Sequence, residues 1–239
     1  KDLDSHFSAF EVLKKDAKAL STKYLSEEIL LAQLTTATVC HLVLAANRSG
    51  AASKILSKAF PANDLQLAAQ LTRIANTSIC IFQLARDGYD TQARILLRTL
   101  SESIYQALIL FSSPDDYRTY KSASTTDDTK KVWYELFGGK KRLLKKLAAL
   151  ESSLGLPHKA VEALKDWRED RMNYYGETIH HGVFSTTWGS FARDFEDDQM
   201  HLAILGHASP DAAETLNHQY TQMDYFCRMI HDILLKKHS

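Results

Sequence analysis

Apolar residues recur at three- and four-residue spacing along most of the chain, which is the period of helices that bury one face. The helices predicted from this spacing cover residues 4–24, 26–47, 63–85, 90–111, 157–181 and about 209–237, with shorter pieces at 52–60 and on either side of 138–139. Glycine (9) and proline (4) are scarce, which disfavours a fold of many short strands. The pattern predicts an all-α bundle of about eight helices.

The middle of the chain breaks this pattern. Residues 112–131 read "SSPDDYRTYKSASTTDDTKK", which predicts a short helix followed by a mobile polar connection. We therefore expect a single all-helical domain over residues 1–239, with a sub-boundary near 112–131. Near the end, "VFSTTWGSF" at 183–191 predicts a short extended segment.

The second helix contains 18 consecutive residues without a charge, Ile29–Ala46. That length reaches the lower limit for a membrane span. Gln33, three threonines and His41 dilute its apolar character, so we predict a buried central helix and no membrane association.

Charge and cysteine content narrow the class of protein. Lys+Arg and Asp+Glu are balanced at 29 each, so the chain as a whole is not an obvious polyanion binder. Cys40, Cys80 and Cys227 form no CxxC pair, which favours reduced core thiols in a cytoplasmic protein. The first ten residues lack the apolar core of a signal peptide.

One helix carries a polar stripe on an otherwise apolar surface. Arg94, Arg98, Glu102 and Gln106 recur every four residues between Asp90 and Phe111. Arg98 and Glu102 can pair across one turn. Two interpretations stay open: the stripe is a structural edge or buried ion pair, or it lines a cleft where Arg94 and Arg98 receive an anionic group.

The stretch "RMNYYGETIHHGVFSTTWG", at 171–189, is the second candidate for chemistry. As one helix from Pro157 to His181, it places Arg171 in the middle of an apolar face with Tyr174 and Tyr175. These two tyrosines are candidate substrate-binding residues. Such an arginine needs an acceptor, for which we predict Glu102. His181 lies near the edge of that face and His180 points away. The histidines are either a helix cap and a packed residue, or a general acid/base beside a bound phosphate.

Five basic residues form a run between 140 and 146: Lys140, Lys141, Arg142, Lys145 and Lys146. Such a run can hold an RNA backbone. The alternative is a solvated helix face whose charge is balanced by "DFEDD" at 194–198.

The segments "GYDTQARILLRTLSESIYQALIL" and "YYGETIHHGVFS" together resemble an uncharacterised family of all-helical bacterial domains. Members carry an Arg-x-x-x-Glu helix and a later histidine at a helix end, positions filled here by Arg98, Glu102 and His181 (or His180). The resemblance covers roughly residues 65–189. That family is similar to the HEPN group, helical bundles that include dimeric, metal-independent ribonucleases of toxin and phage-defence systems.

The spacing of basic groups departs from the HEPN motif, in which an arginine precedes a histidine by four to six residues on one helix. Arg171 lies nine residues before His180 and ten before His181. Along a helix this is about 14 to 15 Å. Both side chains reach one phosphate only if the helix breaks at Gly176, or if another helix supplies the arginine.

The resemblance implies RNA cleavage or RNA binding in a bacterial defence or toxin system, with a homodimer and a cognate protein as partners. In that mechanism a histidine removes the ribose 2′-hydroxyl proton and an arginine stabilises the charge on the phosphate. The alternative is a non-catalytic helical interaction module of the same fold. No sequence motif predicts a metal or a cofactor.

Overall fold

The computed structural model describes residues 2–47, 65–179, 190–202 and 206–238. Within these ranges the chain forms nine helices and one two-stranded antiparallel sheet, which confirms the all-α class. The elements are α1 Asp2–Tyr24, α2 Ser26–Asn47, α3 Leu65–Arg86, α4 Asp90–Ser112, α5 Pro114–Lys121, α6 Thr126–Phe137, α7 Lys140–Ser153, α8 His158–Ile179, β1 Phe191–Arg193, β2 Met200–Leu202 and α9 Ala212–His238. The predicted piece at 52–60 lies outside the described residues.

Residues 112–131 are more helical than predicted. The short helix is present as α5, but the polar connection is confined to 122–125 because α6 begins at Thr126. Two N-caps explain this: the Ser113 hydroxyl accepts the amide of Asp116 at 3.2 Å, and the Thr125 hydroxyl accepts that of Asp128 at 3.1 Å. The mobile connection predicted over this region is therefore mostly wrong.

The chain divides into two compact units. Unit 1 consists of Lys1–Ala37, Ala75–Leu100 and Asn173–Met223, and unit 2 of Thr38–Ile74, Ser101–Met172 and Asp224–Ser239. Residues 112–131 lie wholly in unit 2. The prediction of one domain over 1–239 is not tested by this division and stays a prediction.

A buried amide ties three helices of unit 1 together. Gln219 of α9 donates to the carbonyl and the hydroxyl of Ser78 in α3, at 2.9 and 2.6 Å. The Ser78 hydroxyl also lies 2.7 Å from that of Thr36 in α2. Gln219 and Ser78 are fully buried, so each of these bonds satisfies a polar group that water cannot reach.

The hairpin of unit 1 was only partly predicted. Its strands pair Phe191 with Leu202 and Arg193 with Met200. The turn between them contains Phe195, whose ring stacks on Tyr24 of α1 at 4.7 Å between centroids. The predicted extended segment at 183–191 overlaps β1 only at Phe191, and residues 183–189 lie outside the described residues.

Unit 2 has a buried ionic network at its centre. Arg168 of α8 forms a two-point ion pair with Glu151 of α7, and both side chains are fully buried. Tyr225 of α9 donates its hydroxyl to Glu151 at 2.8 Å and accepts from Arg168 at 3.2 Å. Each charge is therefore compensated, which is the condition for keeping ions in an interior.

This network corrects the predicted orientation of α8. The buried positions are Val161, Arg168, Met172 and Tyr175, whereas Arg171 is about a quarter exposed. The buried stripe is displaced by one residue, which rotates the helix by about 100° from the predicted face. Arg168 consequently occupies the interior place that was assigned to Arg171.

The prediction of a buried α2 is wrong for half of the helix. Ile29, Ala32, Thr36 and Val39 form a buried stripe. By contrast, the apolar side chains of Leu30, Leu34 and Leu44 are 50–57% exposed. By length and composition Ser26–Leu44 could cross a membrane, with a mean hydropathy of 1.2. Core helices of soluble proteins and signal sequences meet the same criterion, so this feature is weak support for a span.

The cysteines are less buried than predicted. Cys80 is exposed, and Cys40 and Cys227 are half-buried, so the core-thiol prediction is wrong for Cys80. All three are free thiols, as predicted.

Candidate functional site

A cavity of about 670 Å³ lies within unit 1. Its walls come from four stretches of chain: the entry to α4, the end of α8, the hairpin, and the segment leading into α9. The described residues that line it are Gly88, Tyr89, Asp90, Thr91, Gln92, Arg94, Tyr174, Glu177, Thr178, Phe191, Ala192, Arg193, Asp198, Met200, His207, Ser209, Asp211 and Glu214. This cavity is the candidate functional site.

Arg94 is the most constrained cation in the cavity. Its Nε lies 2.7 Å from a carboxylate oxygen of Asp90, and its Nη1 donates to the Tyr174 hydroxyl at 2.6 Å. Further donations reach the Thr215 hydroxyl at 3.2 Å and the Asp211 carbonyl at 3.3 Å. Burial opposes the charge on Arg94, but Asp90 and other acidic groups nearby outweigh it and raise the pKa of the guanidinium.

Asp90 is the acidic partner of this arginine, and its side chain is 17% exposed. Burial raises the pKa of the Asp90 carboxyl, and Arg94 together with the Thr215 hydroxyl opposes that effect. The Thr215 hydroxyl donates to the second carboxylate oxygen, so both oxygens of Asp90 have a partner. The pair is thus held in one geometry by two helices, α4 and α9.

Arg193 is the second guanidinium in the cavity and is likewise paired. Its Nη2 lies 2.8 Å from a carboxylate oxygen of Asp211, and its Nη1 lies 3.2 Å from one of Asp198. These two carboxylates raise the pKa of Arg193, with Asp211 the larger influence. Asp211 begins the turn into α9, where Ser209 accepts its backbone amide at 3.2 Å. The ion pair therefore links β1 to the start of α9.

Two glycines fix one wall of the cavity at a close backbone crossing. The amide of His207 donates to the carbonyl of Gly88 at 3.1 Å. Gly88 and Gly206 have φ angles of 86° and 87°, a region that side chains with a Cβ rarely adopt. A Cβ at Gly88 would lie 2.6 Å from the His207 nitrogen, and one at Gly206 would lie 2.7 Å from the Asp87 oxygen. The crossing requires glycine at both positions.

The described lining is acidic overall. It carries five carboxylates and two guanidiniums, a formal charge of −3 with histidine neutral. The carboxylates belong to Asp90, Glu177, Asp198, Asp211 and Glu214. Residues 180–189 and 203–205, which lie next to the lining along the chain, contain no Lys, Arg, Asp or Glu. Only His180 and His181 there could add positive charge.

Two of the predicted binding residues line the cavity. These are Arg94 and Tyr174, which also contact each other. Tyr175 is fully buried, and its hydroxyl accepts from Gln222 at 2.9 Å. That bond gives Tyr175 a packing role in place of the predicted contact with substrate.

Arg98 and Glu102 are half-buried, like the rest of the predicted stripe. Arg98 packs near Gly176: its Nη1 lies 4.0 Å from where a Cβ at Gly176 would be. Neither residue is among those that line the cavity. Their ion pair and their catalytic role stay predictions.

The break that would bring Arg171 towards the histidines is absent, since α8 continues through Gly176 to Ile179. The Nη2 atom of Arg171 lies 3.2 Å from a carboxylate oxygen of Asp170. His180 and His181 lie outside the described residues. Thr178, which lines the cavity, precedes His180 by two residues in the sequence. Of the two routes to a shared phosphate, only an arginine from another helix is compatible with this geometry, and Arg94 is the candidate.

The predicted basic run is largely engaged in structural contacts. Lys140 pairs with Glu169 at 3.3 Å, and Lys146 pairs with Asp116 at 2.8 Å. Arg142 donates to the backbone carbonyls of Tyr134 and Glu135 at the end of α6. Lys141 and Lys145 are exposed. These contacts favour the interpretation of a solvated helix face.

Among the described residues, one group has metal-ligand atoms close together: Asp194, Asp197 and His201, within 4.8 Å of one another. Asp194 accepts the backbone amide of Glu196, and Asp197 accepts that of Gln199. The Glu196 amide is the main reason that the pKa of Asp194 is lowered. Turn formation therefore accounts for the proximity of these carboxylates.

Several lining residues were missed from the sequence. Asp90 stood at a predicted helix start and could have been found from its four-residue spacing to Arg94. Arg193, His207 and Asp211 gave no such signal, because the contacts that bring them to Arg94 span roughly a hundred residues or more. No family model, curated protein or solved structure matches this chain.

Proposed function

We propose that this chain is a helical binding module for a small polar molecule, and that the unit 1 cavity is its site. The observation that carries the proposal is a cavity of about 670 Å³ whose polar groups are already held in place. Ligand sites in proteins have volumes of about 300–1,000 Å³ and are mostly preformed. The cavity has this size, and the four contacts of Arg94 hold its wall rigid.

A screen of small polar molecules against a variant with a filled cavity tests this proposal. Thr178 lines the cavity, so Thr178→Trp should fill part of it. We expect molecules that bind the wild-type chain, detected by ligand-observed NMR, to lose binding in this variant. The matched control is Thr221→Trp, because Thr221 is exposed on α9 and is not among the lining residues. Binding that survives Thr178→Trp would contradict the proposal.

A second candidate function is HEPN-like RNA cleavage, in a bacterial defence or toxin system. It is supported by the position of Arg94 in a cavity that is also lined by Thr178, a residue that precedes His180 and His181 closely in the sequence. In this mechanism His181 would remove the ribose 2′-hydroxyl proton and Arg94 would stabilise the phosphate charge. A cytoplasmic homodimer, with RNA and a cognate protein as partners, belongs to this candidate.

Incubation of total RNA with the chain in EDTA tests the second candidate. Wild type should cleave RNA, and His181→Ala and Arg94→Met should not. The matched control is His231→Ala, because His231 is an exposed histidine of unit 2 outside the cavity. Absence of cleavage by wild type, or undiminished cleavage by His181→Ala, would leave only the binding module.

A further inference from the structure

We infer that the ligand of the unit 1 cavity is a small organic cation that carries an ammonium group. This inference rests on the proposed binding function and names the chemical class that the site takes. Three features of the cavity support it: the sign of its charge, the engagement of its guanidiniums, and its aromatic rings.

The charge of the cavity favours a cation. Its described walls carry a formal charge of −3. The two adjacent segments, 180–189 and 203–205, contain no Lys or Arg that could reverse this sign. A concave surface with a net charge attracts ligands of the opposite sign. A phosphate or a carboxylate would have to enter against this potential.

The guanidiniums of the cavity are poorly placed to compensate an anion. Arg94 is held by Asp90 at 2.7 Å, and Arg193 is held by Asp211 at 2.8 Å. An incoming anion would have to displace these carboxylates, and it would still face the other acidic groups of the lining. An ammonium group needs no such rearrangement, since it adds a donor to a site rich in acceptors.

Aromatic rings complete the site. Tyr89 and Phe191 line the cavity from α4's entry and from β1. Rings of this kind attract ammonium groups over their faces, which is how proteins recognise quaternary amines. The alkyl part of an organic cation would bury apolar area against the same rings. The walls thus combine carboxylates with aromatic rings, and this combination favours an alkylammonium ligand over a metal ion.

Three five-carbon probes of different charge test the inference: pentylammonium, pentanol and pentanoate. They match in length, so calorimetric titration of the full chain isolates the effect of charge. We expect pentylammonium to bind, with an affinity that falls as salt is raised, and the other two to bind at least tenfold more weakly. Thr178→Trp should abolish pentylammonium binding, and Thr221→Trp should not.

Variants that each remove one carboxylate test whether pentylammonium binds in the cavity. Glu177→Gln and Glu214→Gln keep the shape of the lining and remove one carboxylate each; each should weaken pentylammonium by up to about fivefold. The matched control is Glu162→Gln, an exposed glutamate of unit 2 that changes net charge equally and should leave the affinity unchanged.

The outcomes separate this inference from the proposed function. Tighter binding of pentanoate or pentanol than of pentylammonium, if Thr178→Trp abolishes it, overturns the organic cation and leaves the binding module standing. Pentylammonium binding that Glu162→Gln weakens as much as Glu177→Gln also overturns the inference, because the effect is then global. If pentylammonium does not bind, the ammonium class is wrong, whereas the screen with Thr178→Trp still decides the binding function.

Discussion

The two units each hold an arginine with the same two kinds of partner, a carboxylate and a tyrosine hydroxyl. In unit 2, Arg168 and Glu151 are completely buried beside Tyr225. In unit 1, the side chains of Arg94 and Asp90 are 22% and 17% exposed beside Tyr174, and they line a cavity. Identical chemical groups thus form a sealed structural network in one place and a ligand-accessible wall in the other.

This difference in burial determines the effect of replacing each arginine. A buried ion pair contributes little net stability, yet removal of one partner is costly because it leaves an uncompensated charge. A pair that borders a cavity can be rehydrated when one partner is lost. Loss of stability should therefore be the main effect of changes at Arg168, whereas changes at Arg94 should cost less stability and act mainly on the charge of the cavity wall.

The largest expected effect is that of Arg168→Met. It leaves Glu151 buried without its counter-ion, and we expect the free energy of unfolding to fall by about 3–5 kcal/mol. Urea denaturation followed by circular dichroism measures it. Arg168→Met combined with Glu151→Leu should recover most of the loss, because it removes both charges. A loss below about 1 kcal/mol for the single variant would mean that the network is not sealed.

The alkylation rate of the Cys227 thiol measures burial in unit 2 without removing a charge from its core. Burial, with a smaller contribution from Asp224, raises the pKa of this thiol from 9.0 to about 11. The thiolate fraction at pH 8 is then about 100-fold below that of an ordinary cysteine, so alkylation should be slower by about that factor. The rate should rise with pH and reach half of its maximum near pH 11.

A variant with Cys40→Ser and Cys80→Ser leaves Cys227 as the single thiol. Its labelling rate with iodoacetamide in buffer is compared with the rate in concentrated urea. Equal rates would show that Cys227 is as accessible in the folded chain as in the unfolded one.

Arg94→Met should cost less stability than Arg168→Met, about 1–2 kcal/mol. The hydrogen bonds to Tyr174 and Thr215 are lost, but Asp90 lines the cavity, so water can solvate its carboxylate. Urea denaturation under the same conditions gives the ratio of the two effects. A loss as large as that of Arg168→Met would remove the distinction between the two networks.

The smallest expected effect is a gain in the free energy of unfolding. Gly176 lies inside α8, and among the described residues a Cβ there would meet only the Arg98 guanidinium, at 4.0 Å. Gly176→Ala should therefore raise the free energy of unfolding by about 0.5–1 kcal/mol, the usual advantage of alanine over glycine in a helix. Thermal unfolding measures the gain. Destabilisation would show that the end of α8 needs the conformational freedom of glycine.

Local signals predicted the helices well, but not which face of α8 is buried. The bounds of α2 and the start of α4 followed from Ser26, Asp90 and the apolar spacing behind them. The face of α8 was misjudged because its polar and apolar residues alternate around the whole circumference, so a rotation of one residue changed which arginine is buried. Ser113 and Thr125 were overlooked as caps, which hid the extent of α5 and α6.

The cavity could not be predicted from the sequence, for a different reason. Arg94 and Tyr174 were found because each stood out within its own helix. Their partners at Asp211 and Thr215 lie more than a hundred residues from Arg94 along the chain. These residues meet only because the helices pack against each other. The periodicity within a single helix does not predict such contacts.

The crossing at Gly88 and Gly206 has a consequence for how this chain can diverge. Each glycine admits the backbone of the other's segment, so a side chain at either one pushes the segment that bears His207 away from α4. We expect homologous chains to keep both glycines or to replace both. A homologue that retains one alone would be expected to have lost the hollow between the hairpin and α4, and with it the ability to select a ligand.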